Sequence, residues 1–342
     1  MNSLIPINTM ANQSSDKPVW KQQMANLLRD PEELCDLLQL DDEQRILMKA
    51  ACGQFPLRIP RPYLQRVEPG NLRDPLLLQA LPQPQELDLT PGFSSDPLDE
   101  AKFTPVPGLL HKYQSRVLIV LNGSCAIHCR YCFRRHFPYQ EHQIGAENWQ
   151  QILQYIAADE LINEVIFSGG DPLTCTDKIL ARYAADLTAI PHLKTLRLHT
   201  RLPIMIPQRI DEACLSWMRQ TRLQVVMVIH CNHANEIDEA VGRSLSALAS
   251  IGVTMLNQSV LLRGINDDVD HLESLSRKLF AHNVLPYYLF LLDEVQGAAH
   301  FEVSRKDAIE LYEGLKTRVA GYLVPRLAKE IANETSKSLI NQ

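Results

Sequence analysis

Six short apolar runs rich in β-branched residues recur along the chain: Val117–Asn122, Glu164–Ser168, Thr195–Thr200, Gln224–His230, Val253–Ser259 and Pro286–Leu292. Helix-patterned stretches fill the gaps, and each gap exceeds the roughly dozen residues that a crossover between parallel strands needs. This alternation predicts βα units sharing one parallel sheet. The fold class is therefore α/β, and six units in a row are most simply arranged as a partial (βα)6 TIM-like barrel.

The ends of these runs carry polar or reactive residues: Asn122 before a cysteine loop, Ser168-Gly169-Gly170-Asp171, His199-Thr200-Arg201, His230, Asn257-Gln258-Ser259 and Asp293. In parallel α/β folds the site lies at the carboxyl ends of the strands. A single polar strand end is usually a turn or a helix cap, but six aimed at one edge predict a shared site.

At 342 residues and 45% hydrophobic content, the chain can build one such domain with an appendage. Residues 1–20 are polar and aperiodic and predict a mobile arm. Residues 21–104 predict a helical region followed by a proline-rich wrap. Met24, Leu27, Leu28, Leu34, Leu37 and Leu38 recur at helical spacing, and Asp41 and Asp42 are placed to start a further helix. More than half of the 21 prolines fall between Phe55 and Pro107, which forbids long helices or central strands there. Leu76, Leu77 and Leu78 give that wrap something to bury. The barrel core is expected over 105–325, with 326–342 as a separate C-terminal segment.

Forty acidic against 34 basic side chains, a net charge of −6, do not suit a polyanion-binding protein, so nucleic acid is excluded as a partner class. No apolar run approaches the roughly 20 residues of a membrane span. The start lacks a basic region followed by an apolar run, so no secretory signal is read and a cytoplasmic address is expected. Eight cysteines are too sparse for a disulfide scaffold. Cys35, Cys52, Cys175, Cys214 and Cys231 stand singly and read as small buried hydrophobes.

Cys125, Cys129 and Cys132 are clustered, with C-x3-C-x2-C spacing. Three thiolates so close can hold three irons of a [4Fe-4S] cubane and leave the fourth iron open. Three cysteines with His128 or His136 can equally hold a structural zinc. Spacing alone leaves both open.

With Tyr131 before the last cysteine, the motif resembles the radical S-adenosylmethionine superfamily, in which the open iron binds S-adenosylmethionine. Ser168-Gly169-Gly170-Asp171-Pro172 is similar to its glycine-rich segment for the methionine amino group. The resemblance narrows to the lysine 2,3-aminomutase family over about Pro105 to Lys337. It is carried by Val106-Pro-Gly-Leu-Leu-His-Lys-Tyr113, Cys132-Phe-Arg-Arg-His-Phe137, Phe167–Asp171, Arg201-Leu-Pro-Ile204, His230-Cys-Asn-His-Ala-Asn-Glu236, Asn257–Gly264, Pro286-Tyr-Tyr288 and Gly321–Pro325.

The resemblance implies pyridoxal phosphate as a further cofactor, anchored by Lys337, with Lys329 as a rival. Lys112, Tyr113 and Arg116, in a segment that includes His111, correspond to contacts with the pyridoxal group. Ser168, Gly169, Gly170, Asp171, His230 and Gln258 are implied at the cofactors. Arg134 matches the clamp for the substrate carboxylate, and Asp293 and Glu330 match the acids that hold the distant ammonium. Three departures stand out. Lys112 replaces a more usual arginine, Glu330 replaces an aspartate, and Ala332–Ser336 replaces a glycine run.

The short tail, the helical N-terminal region and His136-Phe137-Pro138-Tyr139 resemble the branch of the family that serves elongation factor P. That implies conversion of (S)-α-lysine to (R)-β-lysine, which a separate ligase attaches to the factor. It also implies an electron donor such as flavodoxin or ferredoxin, and leaves assembly into a homo-oligomer open. Other readings are a catabolic lysine 2,3-aminomutase, an aminomutase for glutamate or arginine, and an inactive zinc-stabilised interaction protein.

Overall fold

The computed structural model describes residues 17–332, 334 and 336–340. The expected arm over 1–20 lies outside the described residues up to position 16. Its last residues are not an arm, because Val19 and Trp20 open a helix, Val19–Ala25. Trp20 is buried, and the Arg209 guanidinium lies 4.5 Å from its ring centroid.

The six expected strands are present with ends within one or two residues: β2 (Arg116–Asn122), β3 (Glu164–Gly169), β4 (Thr195–Thr200), β5 (Gln224–His230), β6 (Thr254–Val260) and β7 (Leu285–Phe290). Three further strands join them, β1 (Leu109–Tyr113), β8 (Arg326–Lys329) and β9 (Ser338–Leu339). The sheet runs in chain order from β1 to β9. Strands β2 to β8 are parallel, and β1 and β9 are antiparallel edges. An order that never reverses is that of an incomplete barrel wall, whereas a doubly wound sheet changes direction at a switch point.

Helices cover the outer face, as the apolar strand sequences require of a sheet covered on both sides. Helices Glu212–Gln220, Glu239–Ser250, Val269–Ala281 and Arg305–Arg318 each start at a side-chain cap, Asp211, Asp238, Asp268 and Ser304 respectively. The caps satisfy backbone N–H groups that the first turn leaves unpaired.

The N-terminal region folds as the prolines require. Asp41 and Gln44 form a capping box for helix Asp42–Gln54. Beyond Phe55 only single turns of α-helix survive, Arg61–Leu64 and Pro75–Leu78, each with proline in its first two positions. Leu76 and Leu77 are fully buried and Leu78 partly so. The buried side chains of this wrap and those of strands β1 to β6 form one continuous apolar cluster.

Candidate active site at the carboxyl ends of the strands

A cavity of about 640 Å³ opens where the parallel strands end. Most candidate site residues border it: Cys125, Cys129, Cys132, Lys112, Tyr113, Arg116, Arg134, Ser168, Gly169, Gly170, Asp171, His230, Gln258, Asp293, Glu330 and Lys337. His111 does not, since its Nδ1 sits 2.8 Å from the Tyr155 hydroxyl.

The cysteine loop is held from behind by the N-terminal wrap. Arg58 donates to the Cys125 carbonyl at 3.0 Å, and the His128 amide donates to the Arg58 carbonyl. Arg130, fully buried, makes a two-pronged contact with Glu86 at 2.8 and 2.5 Å and donates to the Phe55 carbonyl. A buried guanidinium is costly to desolvate unless a carboxylate and carbonyls take its N–H groups, as they do here. The wrap therefore shapes the loop that carries the sulfurs.

The glycine pair after β3 has a structural reason of its own. Gly170 donates to the Asn122 carbonyl and Asp171 to that of Ser124. A Cβ on Gly170 would sit 2.5 Å from the Ser124 oxygen, and one on Gly169, whose φ is +120°, would strike the Asn122 oxygen. The cysteine loop thus packs directly on these glycines. Gly170→Ala should lower stability by about 1–3 kcal/mol and reduce iron loading, as thermal unfolding and iron assay would record.

Burial pushes the Cys125 thiol well up, and burial with the neighbouring Cys129 pushes Cys132 up to about 12. Both thiols must lose protons to bind metal. Each histidine considered for zinc has one ring nitrogen on a backbone carbonyl and the other uncommitted among the described residues. His128 Nδ1 contacts the Pro56 carbonyl at 2.7 Å with its ring stacked on Phe55, and His136 leans toward the Gln296 carbonyl. Among the described residues, no three His, Cys, Asp or Glu side chains converge on a single-ion site. A cubane needs no such point, because each thiolate goes to a separate iron. The three cysteines on one cavity wall fit that group.

Asp171 is more a brace than a ligand. Its carboxylate accepts from the amides of Leu173, Arg201 and Leu202 and from the Thr200 hydroxyl, tying the end of β3 to the end of β4. His230 and Gln258 meet at 2.9 Å across β5 and β6. Burial lowers the His230 pKa to about 3, so it is neutral. His199, beside them on the cavity wall, has a buried Nε2 without a hydrogen-bond partner among the described residues.

The opposite side is cationic and aromatic. β9 folds back on β8, and Lys337, just before β9, meets Glu330, just after β8, at 2.6 Å. Glu330 also accepts from the Tyr113 hydroxyl at 2.8 Å and lies 3.5 Å from Lys112. Burial raises the Glu330 pKa, but Lys337, Tyr113 and Lys112 outweigh it and hold the carboxyl down at about 2. Lys337 lies over the Phe290 ring at 4.5 Å. Arg116 stacks on Tyr113 at 4.0 Å and has no carboxylate partner among the described residues. Lysine, arginine and flat rings on one wall fit an aromatic aldehyde that bears a phosphate. Lys329, the rival anchor, is not on the cavity and pairs with Glu294 at 2.5 Å.

Arg134 has a partner that sequence reasoning missed. Glu100 accepts from Arg134 Nε at 2.8 Å and Nη2 at 2.6 Å, while Nη1 donates to the Ser168 hydroxyl at 3.2 Å. Burial opposes the Arg134 charge, yet Glu100 holds its pKa above the usual range. Glu100 rides on a strap whose start is pinned by hydrogen bonds between Ser94 and the backbone of Glu294 and Gln296. Its only sequence signal is an acid in a polar, proline-flanked segment, which is indistinguishable from a solvated loop.

The family described as "4Fe-4S single cluster domain" matches residues 115–190, which span both the cysteines and the glycine pair. The chain is 49% identical over 339 residues to the L-lysine 2,3-aminomutase of Escherichia coli (strain K12), covering 99% of this chain and 97% of that one. It is 49% identical to the Haemophilus influenzae L-lysine 2,3-aminomutase, over 94% and 95% of the two chains. To the Clostridium subterminale L-lysine 2,3-aminomutase it is 35% identical, over 90% of this chain and 74% of that longer one. On a match of this depth across nearly the whole length, the chain belongs to the L-lysine 2,3-aminomutase family.

Proposed function

We propose that this protein is a radical S-adenosylmethionine and pyridoxal phosphate enzyme that converts (S)-α-lysine to (R)-β-lysine for attachment to elongation factor P. The observation that carries the reading is one cavity bordered by three clustered cysteines, an anchor-type lysine, an arginine clamp and two acids. When bound, the cluster supplies the electron that cleaves S-adenosylmethionine, and the pyridine ring shares the unpaired electron of the substrate.

The chain's own residues do the holding and orienting. Cys125, Cys129 and Cys132 would each ligate one iron of the cluster. Ser168, Gly169, Gly170, His230 and Gln258 line the S-adenosylmethionine side, with Asp171 bracing the loop. Lys337 would hold the cofactor aldehyde, and Arg116 and Lys112 would supply positive charge for its phosphate. Arg134 offers its charge and the Nη N–H groups that Glu100 leaves free to the substrate carboxylate, with Glu100 on the Nε–Nη2 edge fixing the guanidinium plane. Asp293 and Glu330 receive the side-chain ammonium. Tyr113, Tyr288 and Phe290 wall the chamber against water.

The two acids also argue for a dibasic substrate. A glutamate side chain would meet repulsion from Asp293 and Glu330, whereas lysine neutralises them.

Asp293 makes this testable by pH. Its burial, together with the Glu330 charge, raises its pKa to about 7, against the pull of Lys337 and Lys329. An ammonium binds the ionised carboxyl, so the KM for lysine should rise as pH falls below about 7, up to about tenfold per unit. Glu330 stays ionised throughout that range. Asp293→Asn should weaken lysine at every pH and flatten the profile, and KM measured from pH 6 to 8.5 checks both.

The elongation factor P role is tested in a bacterium lacking this gene. The mass of elongation factor P should fall by one lysyl group, and added (R)-β-lysine, not α-lysine, should restore it. An unchanged mass would remove the role and leave the aminomutase chemistry to be judged separately.

A further inference from the structure

Arg201, at the end of β4, reaches the cluster motif. Its Nη1 donates to the Cys129 sulfur at 2.8 Å. Nothing in the motif spacing calls for this contact, and the residue is 7% exposed.

The guanidinium is locked from several parts of the chain. Nη2 donates to Gln79 Oε1 at 2.6 Å and to Glu236 Oε2 at 2.8 Å. The other oxygen of Glu236 accepts from the amides of Asn232 and His233 and from Gln79 Nε2. The Arg201 amide is held by Asp171. A buried charge with all these fixed partners cannot swing away without leaving Glu236 and Gln79 unsatisfied. The contact with Cys129 is therefore a permanent part of the sulfur's surroundings.

A cation that donates a hydrogen bond to a cluster thiolate favours the more negatively charged state of the cluster. Hydrogen bonds to sulfur, net charge and solvent exposure are the levers by which a protein tunes an iron–sulfur potential. One electron enters the cluster from an external one-electron reductant, no bond breaks, and the added charge is spread over iron and sulfur. The nearest fixed positive group then stabilises the reduced form.

We infer that Arg201, locked by Gln79 and Glu236, is a positioning residue that raises the reduction potential of the cluster through Cys129. This rests on the cysteines carrying a [4Fe-4S] cluster. It also gives the proline-rich wrap a part in the chemistry, because Gln79 reaches the site from that segment. Arg201 acts through a ligand and not on the substrate, so its effect belongs in the ease of reduction and not in lysine binding.

The test is a redox titration of the anaerobically reconstituted full chain, followed by the electron paramagnetic resonance signal of the reduced cluster. Iron and sulfide are assayed on each sample. The paired variant Arg201→Gln with Glu236→Gln removes the donor cation without leaving its carboxylate buried and charged. Its reduced-to-oxidised ratio at a fixed applied potential should fall about tenfold, equivalent to about 59 mV for one electron.

Arg201→Lys, which keeps a charge opposite Glu236, should show a smaller fall of about threefold, and it decides the matter if the paired variant fails to load iron. A cluster-loaded variant with an unchanged ratio overturns the inference. Native protein that binds no iron and shows no visible absorption overturns instead the cluster reading on which it rests. Lysine KM should not move in Arg201→Lys, and a large shift there with an unchanged potential would mark a merely structural role.

Discussion

Cys129→Ser should abolish the visible iron–sulfur absorption of the reconstituted protein and lower β-lysine formation by more than about 10⁴-fold. Cys125→Ser and Cys132→Ser should do the same. The size of the effect follows from the absence of a substitute. Hydrogen abstraction from an unactivated carbon has no acid–base route, and no other cavity residue can pass an electron to S-adenosylmethionine. Serine leaves the shape of the loop nearly intact, since its backbone is held by Arg58, Gln79 and the glycine pair. Far-ultraviolet circular dichroism should therefore stay native while colour and activity vanish together. Were the site a zinc site, the native protein would be colourless and the serine variants would lose stability with no change in absorption.

Lys337→Ala should retain the cluster and lose pyridoxal phosphate, with turnover reduced by more than about 10³-fold. Lys337 lies on the cavity over Phe290, where its amine can reach an aldehyde, whereas Lys329 points at Glu294 outside it. Lys329→Ala should accordingly keep the cofactor and most of the activity. Borohydride treatment of the native protein followed by peptide mass analysis should find the cofactor on the peptide that contains Lys337. The substitution also strips Glu330 of the partner that most lowers its pKa, so that carboxyl should titrate higher in the variant than in the native protein.

Much of the barrel is written in local pattern. The six β-branched runs are strands because residues such as Val117, Ile119 and Val165 are buried on a sheet covered on both faces, and those runs survive in sequence as apolar blocks. Strands β1, β8 and β9 leave no such mark. Leu109–Tyr113 contains a histidine and a lysine, Arg326–Lys329 has a charge at each end, and Ser338–Leu339 has two residues. They are strands because a neighbour presents an open edge, which is tertiary information.

The site divides in the same way. The cysteine spacing and the glycine pair are short-range features and stand in the sequence, and the family resemblance pointed to Lys337, Arg134, Asp293 and Glu330. Glu100 and the Gln79–Glu236–Arg201 network depend on the wrap lying over the strand ends, and no local spacing encodes that. Asp171 looks like a ligand in sequence and is spent on four internal donors in the structure. His111 sits in a matching segment, yet β1 directs it to Tyr155 and away from the cavity.

One reaction tests the aminomutase assignment most directly. The anaerobically reconstituted protein, with cluster and pyridoxal phosphate both verified in place, is incubated with (S)-α-lysine, S-adenosylmethionine and dithionite, and the amino acids are resolved by chiral chromatography. The expected product is (R)-β-lysine, formed only when all three additions are present. With both groups in place and all three added, a mixture containing only α-lysine would contradict the assignment.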